Sequence, residues 1–374
     1  MTKWLLMAAG IWTLHVEDNL KRPYKTYKFF LRFNYLCCNL AIAANFIVNV
    51  GVNNRKAVES LAITISNLCI TLKLILCMAK RMTKLLKTAI EDVKNNVDTD
   101  NQIQGIVLKY TKRITILNII IITYTFGLTA HFSIYGGVVE YYKYTYIHPN
   151  ITEKPTHLLL MWFPFDLQKH FNSAIALQIF ILITCSAFNF STQGLFNTMM
   201  VYVVIKLKML QHFFRNFDKA NGTEMNNLKD CIRKHQELIE FAQNLNSSMK
   251  YLLLIEYSVS SVMLASVFVQ ISDRNQIEIN IPHALILSFQ LFLLSWNAHE
   301  IKTQSANIAD AIYESNWYER DVEIQQMLKL VILRARRELT VDIGPFGPND
   351  IDAALIRLKL AFSYVSVMSG VNSS

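Results

Sequence analysis

The chain is short of charge, of glycine and of proline. Of its 374 residues only 17% are Asp, Glu, Lys or Arg, against about 25% in soluble domains. It has 11 glycines and 7 prolines, too few for a disordered low-complexity chain or a turn-rich β protein. There are six cysteines: Cys37, Cys38, Cys69, Cys77, Cys185 and Cys231. The first five lie in apolar runs and the last in a basic segment. None falls in a segment expected outside the cell, so they are expected as small buried hydrophobes, not a disulfide framework. Enzyme signatures are also missing. No GxGxxG, GxxxxGK[ST] or GxSxG run occurs, and His299-Glu300 has no second His four residues after the first. Glu59 and Glu256 sit near opposite membrane faces, so no acidic pair for intramembrane catalysis is expected. Neither a cofactor nor a metal site is expected.

What is present is apolar sequence, 52% of the chain, gathered into long runs separated by basic segments. A membrane-spanning helix needs about 20 mostly apolar residues. Phe29–Val52, Ala57–Met78, Ile114–Val139, Asn172–Ile205, Tyr251–Ile271 and Ile279–Asn297 meet that condition. Asn349–Val371 is a seventh span, interrupted by Arg357 and Lys359. Between Phe171 and Ile205 there is no Asp, Glu, Lys, Arg or His. A helix of that length, roughly 50 Å, exceeds the hydrocarbon core of about 30 Å. It is therefore expected to project from the membrane toward Lys206 and Lys208.

Charge orients these spans. The segments before Phe29, between Met78 and Ile114, between Ile205 and Tyr251, and between Asn297 and Asn349 hold 27 of the 37 Lys and Arg residues. Basic loops stay in the cytosol, which places the N-terminus inside and the C-terminus outside. The net charge of +9 then serves anionic lipid rather than nucleic acid. The sequon at Asn150 falls in an outside loop, where glycosylation is expected. Lys3 through Ile11 is expected to be an uncleaved helix lying on, or dipping into, the membrane.

The inside segments carry apolar stripes at helical spacing. They are Met82, Leu85, Leu86, Ile90 and Val93; Leu228, Ile232, His235, Ile239, Ala242 and Leu245; and Ile324, Met327, Leu328, Val331 and Ala335. Such stripes must be covered, either within the chain or by a cytosolic bundle that also joins subunits. The resulting fold class is an all-α membrane protein with seven transmembrane helices and a cytosolic helical anchor bundle. Its expected organisation is an N-terminal segment over 1–28, six spans over 29–299, anchor helices over 300–347, and a last helix with its tail over 348–374.

Few residues stand out chemically. Lys73 and Glu256 lie near the cytosolic ends of their spans, where Lys73 is expected to snorkel to the interface. On the last span Asp352, Lys359, Ser363, Ser366 and Gly370 share one face, with Val367 at its edge. That face suits either a packed helix or a pore lining, and spacing alone favours neither. The outer halves of the middle spans are rich in aromatic and small residues: Phe126, Gly127, Ala130, His131 and Ser133 on one, Ala174, Gln178 and Ile181 on the next. They suit a pocket for a small, mostly apolar ligand with one or two polar handles, or ordinary helix packing.

Several short motifs, in order along the chain, resemble those of the insect odorant receptors. The run with Ser305, Ala311, Tyr313, Trp317 and Tyr318 carries the resemblance, with Ser363-Tyr364 in the last helix, Trp162-Phe163-Pro164-Phe165-Asp166 before the fourth span, and Gly10-Ile11-Trp12 near the start. Thr13 stands where the family usually has Pro. The resemblance implies an odorant-gated, non-selective cation channel: a heterotetramer of tuned receptor and shared co-receptor subunits. It implies a small volatile odorant in a pocket among the outer halves of the spans, a pore lined by the last helix, an apolar gate at Val367, and residence in the plasma membrane of olfactory neuron dendrites. Gly370 replaces the co-receptor's Gln, which implies the tuned subunit. The alternatives are a gustatory receptor channel, whose Gln-Phe pair after the last-helix motif is missing here, and a G-protein-coupled receptor, which would place its N-terminus outside.

Overall fold

The computed structural model describes residues 2–12, 18–50, 54–95, 101–134, 161–163, 170–218, 223–272, 277–356, 359–360 and 363. Helices dominate. In chain order they are α1 (Thr2–Ala8), α2 (Asp18–Asn49), α3 (Asn54–Met78), α4 (Lys80–Asn95), α5 (Asn101–Ser133), α6 (Phe171–Arg215), α7 (Glu224–Ser272), α8 (Ile277–Tyr313) and α9 (Val322–Ala335). A 3-10 turn at Trp317–Glu319 joins α8 to α9, and residues 351–356 begin a last helix. Among the described residues, five helices are long and apolar enough to span a bilayer. A sixth candidate is the pair α3 and α4, bent by 59° at Ala79. Most of the seventh expected span lies outside the described residues.

The helices outrun the spans read from hydropathy. Charge-poor windows mark only the part of each helix that meets lipid, and nothing ends the helix at the interface. Within α7 there is neither Gly nor Pro from Glu224 to Ser272. The apolar periodicity of Leu228, His235, Ala242 and Leu245, all buried, continues into the membrane part. Likewise α8 runs unbroken through residues 299 and 300.

Helix α6 is the spine, touching α1, α2, α3, α4, α5, α7 and α8. Phe188, Phe196, Met199, Met200, Val203, Leu207, Leu210 and Phe214 are all buried along it. At its basic end, in water, each such side chain contributes about 1.5–3 kcal/mol. In lipid the same packing works through close contact, since tails are as apolar as leucine. Small and polar residues then bring helices together: Asn297 Nδ2 donates to Asn197 Oδ1 at 2.9 Å between α8 and α6.

The expected stripes mostly point inward. Ile324, Leu328, Val331 and Ala335 of α9 are buried. On α4, Met82, Leu85 and Ala89 are buried, but Ile90 and Val93 are exposed, because the inward face tracks 82, 85 and 89. The N-terminal segment is docked. Leu6, Ala9, Ile11 and Trp12 are buried, and Arg32 donates to the Gly10 carbonyl at 3.0 Å. Gly10 has φ +64° and Lys28 Cγ would lie 3.3 Å from an added Cβ. Both facts explain the glycine of the Gly10-Ile11-Trp12 motif.

Candidate functional site

Three of the expected pocket residues share one buried face of α6. Ala174, Gln178 and Ile181, spaced four and three apart, are essentially inaccessible. Ala174 and Ile181 pack with Cys38 and Ile42 of α2 and with Met161 and Phe163, and Ala41, Ile63 and Cys185 close the cluster. The Trp162 amide donates to the Ala41 carbonyl at 3.0 Å, which ties this short segment to α2. Ser133, at the end of α5, is also buried. Its hydroxyl donates to the Thr129 carbonyl at 2.8 Å, and Thr129 Oγ1 lies 3.1 Å from Ser186 Oγ. The cluster is apolar; Gln178 is buried on the same face of α6, and the Thr129 and Ser186 hydroxyls meet where α5 touches α6.

The rest of the expected pocket set faces elsewhere. Phe126, Gly127 and Ala130 are exposed on the outer surface of α5, and a Cβ added to Gly127 would meet open space. His131 is half-buried. The residues that sequence reasoning passed over are Cys38, Ile42, Met161 and Phe163. The last had a signal, since it belongs to the motif Trp162–Asp166, which Met161 adjoins; Cys38 and Ile42 look like any apolar span residue.

Beneath this cluster lies a buried ion pair. Lys73 Nζ sits 2.5 Å from Glu256 Oε2 and donates to Asn189 Oδ1 at 2.9 Å. Cys69 Sγ donates to the same Glu256 oxygen at 3.3 Å. Lys73 is only 2% exposed, so it does not snorkel, contrary to expectation. Its partner explains why: a lysine leaves the interface when a carboxylate and an amide oxygen wait at the same depth. The pair joins α3 to α7, and Asn189 adds α6. Asn189 follows Ile181 on α6 by about 12 Å of helix rise.

In the last helix, Lys359 and Ser363 are exposed, as are Asp352, Leu355, Ile356 and Leu360, while Ala354 is buried. Ser366, Val367 and Gly370 lie outside the described residues, as does Asn150.

Long apolar helices around a central spine, with buried polar links and basic amphipathic extensions, define a polytopic α-helical membrane protein. The family profile described as 7tm Odorant receptor matches residues 53–353, and the chain belongs to that family. Odorant receptor Or2 of Anopheles gambiae is 29% identical over 153 residues, 40% of this chain and 40% of that one. Odorant receptor 10 of Aedes albopictus is 27% identical over 179 residues, 46% of this chain and 48% of that one. The chain therefore spans less than half the length of these curated relatives in matched sequence. The fold is similar to that of the insect olfactory receptor OR5 from Machilis hrabei in complex with eugenol. The TM-score is 0.82 at 13% identity, covering 99% of this chain and 97% of that one.

Proposed function

We propose that this chain is the odorant-tuned subunit of a ligand-gated, non-selective cation channel, assembled with a co-receptor subunit in the plasma membrane of olfactory neuron dendrites. The observation that carries the reading is the family match across residues 53–353. The likeness of the whole fold to a receptor described in complex with eugenol supports a small, mostly apolar ligand. The apolar cluster around Ala174 and Ile181, with Gln178 and Ser133 as polar handles, is the ligand region. Odorant binding favours the open state by the difference in its affinity for open and closed forms.

Opening widens an apolar, dewetted constriction at Val367, with Lys359, Ser363, Ser366 and Gly370 on the pore-facing side of the same helix. The basic extensions of the long helices lie in the cytosol, with the N-terminus inside and Asn150 glycosylated outside. Subunit contacts are supported by the apolar side chains that α9 leaves uncovered, Val322, Leu330 and Leu333, each more than half exposed.

Expression with and without a co-receptor, against a broad panel of volatiles, tests this reading through cation current. Odorant-evoked current that requires the co-receptor is the expected result. Tags at each end, stained on intact cells, test the orientation: an exposed N-terminus with a hidden C-terminus would overturn the channel assignment.

A further inference from the structure

We infer that Tyr257 and Asn349 are positioning residues for the last helix, the end point of a clamp that fastens that helix to α7 and α8. The clamp itself is a matter of contacts; its consequence for gating rests on the channel reading above.

The segment between α9 and the last helix, residues 339–349, is held by one stripe of α7. The stripe is Asn246, Lys250, Leu254 and Tyr257, spaced four, four and three apart, which keeps all four on one face of the helix. Asn246 and Asp342 bond reciprocally: Nδ2 donates to Asp342 Oδ2 at 2.7 Å, and the Asp342 amide donates to Asn246 Oδ1 at 2.9 Å. The Gly344 amide donates to the Lys250 carbonyl at 2.9 Å. Gly344 lies so close to α7 that a Cβ there would come within 2.8 Å of Leu254 Cδ2. The segment is also closed on itself. Ile343 donates to the Gly347 carbonyl at 2.8 Å and Asn349 to the Val341 carbonyl at 2.7 Å.

The stripe ends in a buried knot of three side chains from three elements. Asn349 Oδ1 accepts from Tyr257 Oη at 2.6 Å and from Ser295 Oγ of α8 at 2.8 Å. Tyr257 Oη and Ser295 Oγ are themselves 2.5 Å apart. All three residues are at most 2% exposed. The next residue, Asp350, caps the last helix, its Oδ1 accepting the Ala353 amide at 3.0 Å. Burying three polar side chains together is costly, and their mutual contacts fix the geometry; Tyr257 Oη also lies 3.3 Å from the Leu291 carbonyl of α8. A shift of α7 against α8 therefore moves Asn349, and with it the start of the last helix.

The test uses the full-length chain carrying Tyr257→Phe, which keeps the ring and removes the hydroxyl, with Ser295→Ala as a second variant and Ser295→Thr as the hydroxyl-keeping control. Amide hydrogen exchange in residues 349–356 of the purified protein is expected to speed up about tenfold in the first two. In the control it is expected to stay near the unsubstituted rate. Unchanged exchange in both Tyr257→Phe and Ser295→Ala overturns the clamp, whether or not the chain conducts.

In cells with a co-receptor, the maximal odorant current is expected to fall severalfold at equal surface expression, with the half-maximal odorant concentration held within about twofold. A shift in that concentration as large as the loss of current would make Tyr257 part of the ligand site and overturn the positioning role. Absence of any odorant current from the unsubstituted chain would count against the channel reading alone, and the exchange result would still decide the clamp.

Discussion

Lys73 and Glu256 meet at 2.5 Å inside the helical bundle, and neither has water to fall back on. Their side chains are 3% and 9% exposed. A pair in such surroundings gives a modest net benefit when intact, but leaving one charge alone is expensive, about 3–5 kcal/mol. Lys73→Met strands the Glu256 carboxylate, beside which, among the described residues, the Cys69 thiol remains as a weak donor. The expected outcome is a large drop in melting temperature and in surface expression. The double variant Lys73→Met with Glu256→Met should recover most of both, since apolar residues of similar volume remove both charges together; the Asn189 amide oxygen and the Cys69 thiol each lose a partner, a smaller cost than a stranded charge. Thermal melts of the detergent-solubilised protein check this, and a double variant as unstable as the single one would contradict it.

Gly344 offers a test on a smaller scale. Its φ of +53° is in the left-handed region, and its Cα faces Leu254 without room for a methyl group. Gly344→Ala therefore incurs backbone strain and a clash with the side chain on α7, together about 2–3 kcal/mol. Leu254→Ala removes the neighbour but not the backbone strain. The combination is expected to regain part of the loss, no more, when the melting temperatures of the three variants are compared.

Acid should loosen the basic end of the bundle through His235. This residue is 5% exposed, packs edge-on to Phe214, and belongs to the part of α7 outside the membrane in the proposed orientation. Burial and the nearby Arg334 guanidinium push its pKa down to about 4 from 6.5. Between those values the unfolded chain binds the proton and the folded chain does not, so stability falls as pH drops through that window. Above about pH 6.5 both states are neutral and the residue adds no pH dependence. The loss is complete near pH 4 and amounts to at most about 3 kcal/mol. Melting temperatures of the purified protein should decline from pH 6.5 downward, and His235→Gln should flatten that decline.

The spans were legible because a bilayer demands long charge-free runs, and every helix long and apolar enough to cross covers most of one of those runs. Their true ends were not legible. The same helices that face lipid continue past it, and even Pro23 in α2, Pro282 in α8 and Gly194 in α6 do not stop them. The ion pair was half legible. Lys73 lies five residues before the end of its expected span and Glu256 five after the start of its own, so opposite charges stand at matching depth. Treating each charge alone missed the pairing. The exposure of one face of α5 was not legible for a different reason: Phe126, Gly127 and Ala130 share the composition of a pocket, but composition does not say which side of a helix turns inward. The Tyr257–Ser295–Asn349 knot left no sequence signal, since it joins three distant segments and each residue type is common in spans.

The division between the two faces gives the sharpest test of the ligand region. Ala174 is fully buried in the cluster with Cys38, Ile42, Met161 and Phe163, whereas Ala130 is exposed on α5. A larger side chain at 174 fills space that a ligand would share and displaces neighbours that cannot move into lipid. Ala174→Leu is expected to raise the half-maximal odorant concentration about tenfold or more, consistent with the 1–3 kcal/mol typical of overpacking. Ala130→Trp adds more volume but directs it away from the cluster, so its effect is expected to stay within about twofold. Dose–response curves for both variants with the co-receptor, matched for surface expression, decide between the faces. The reverse order, with Ala130→Trp damaging and Ala174→Leu silent, would move the ligand region to the outer face of α5, against whatever covers that face in the assembled channel.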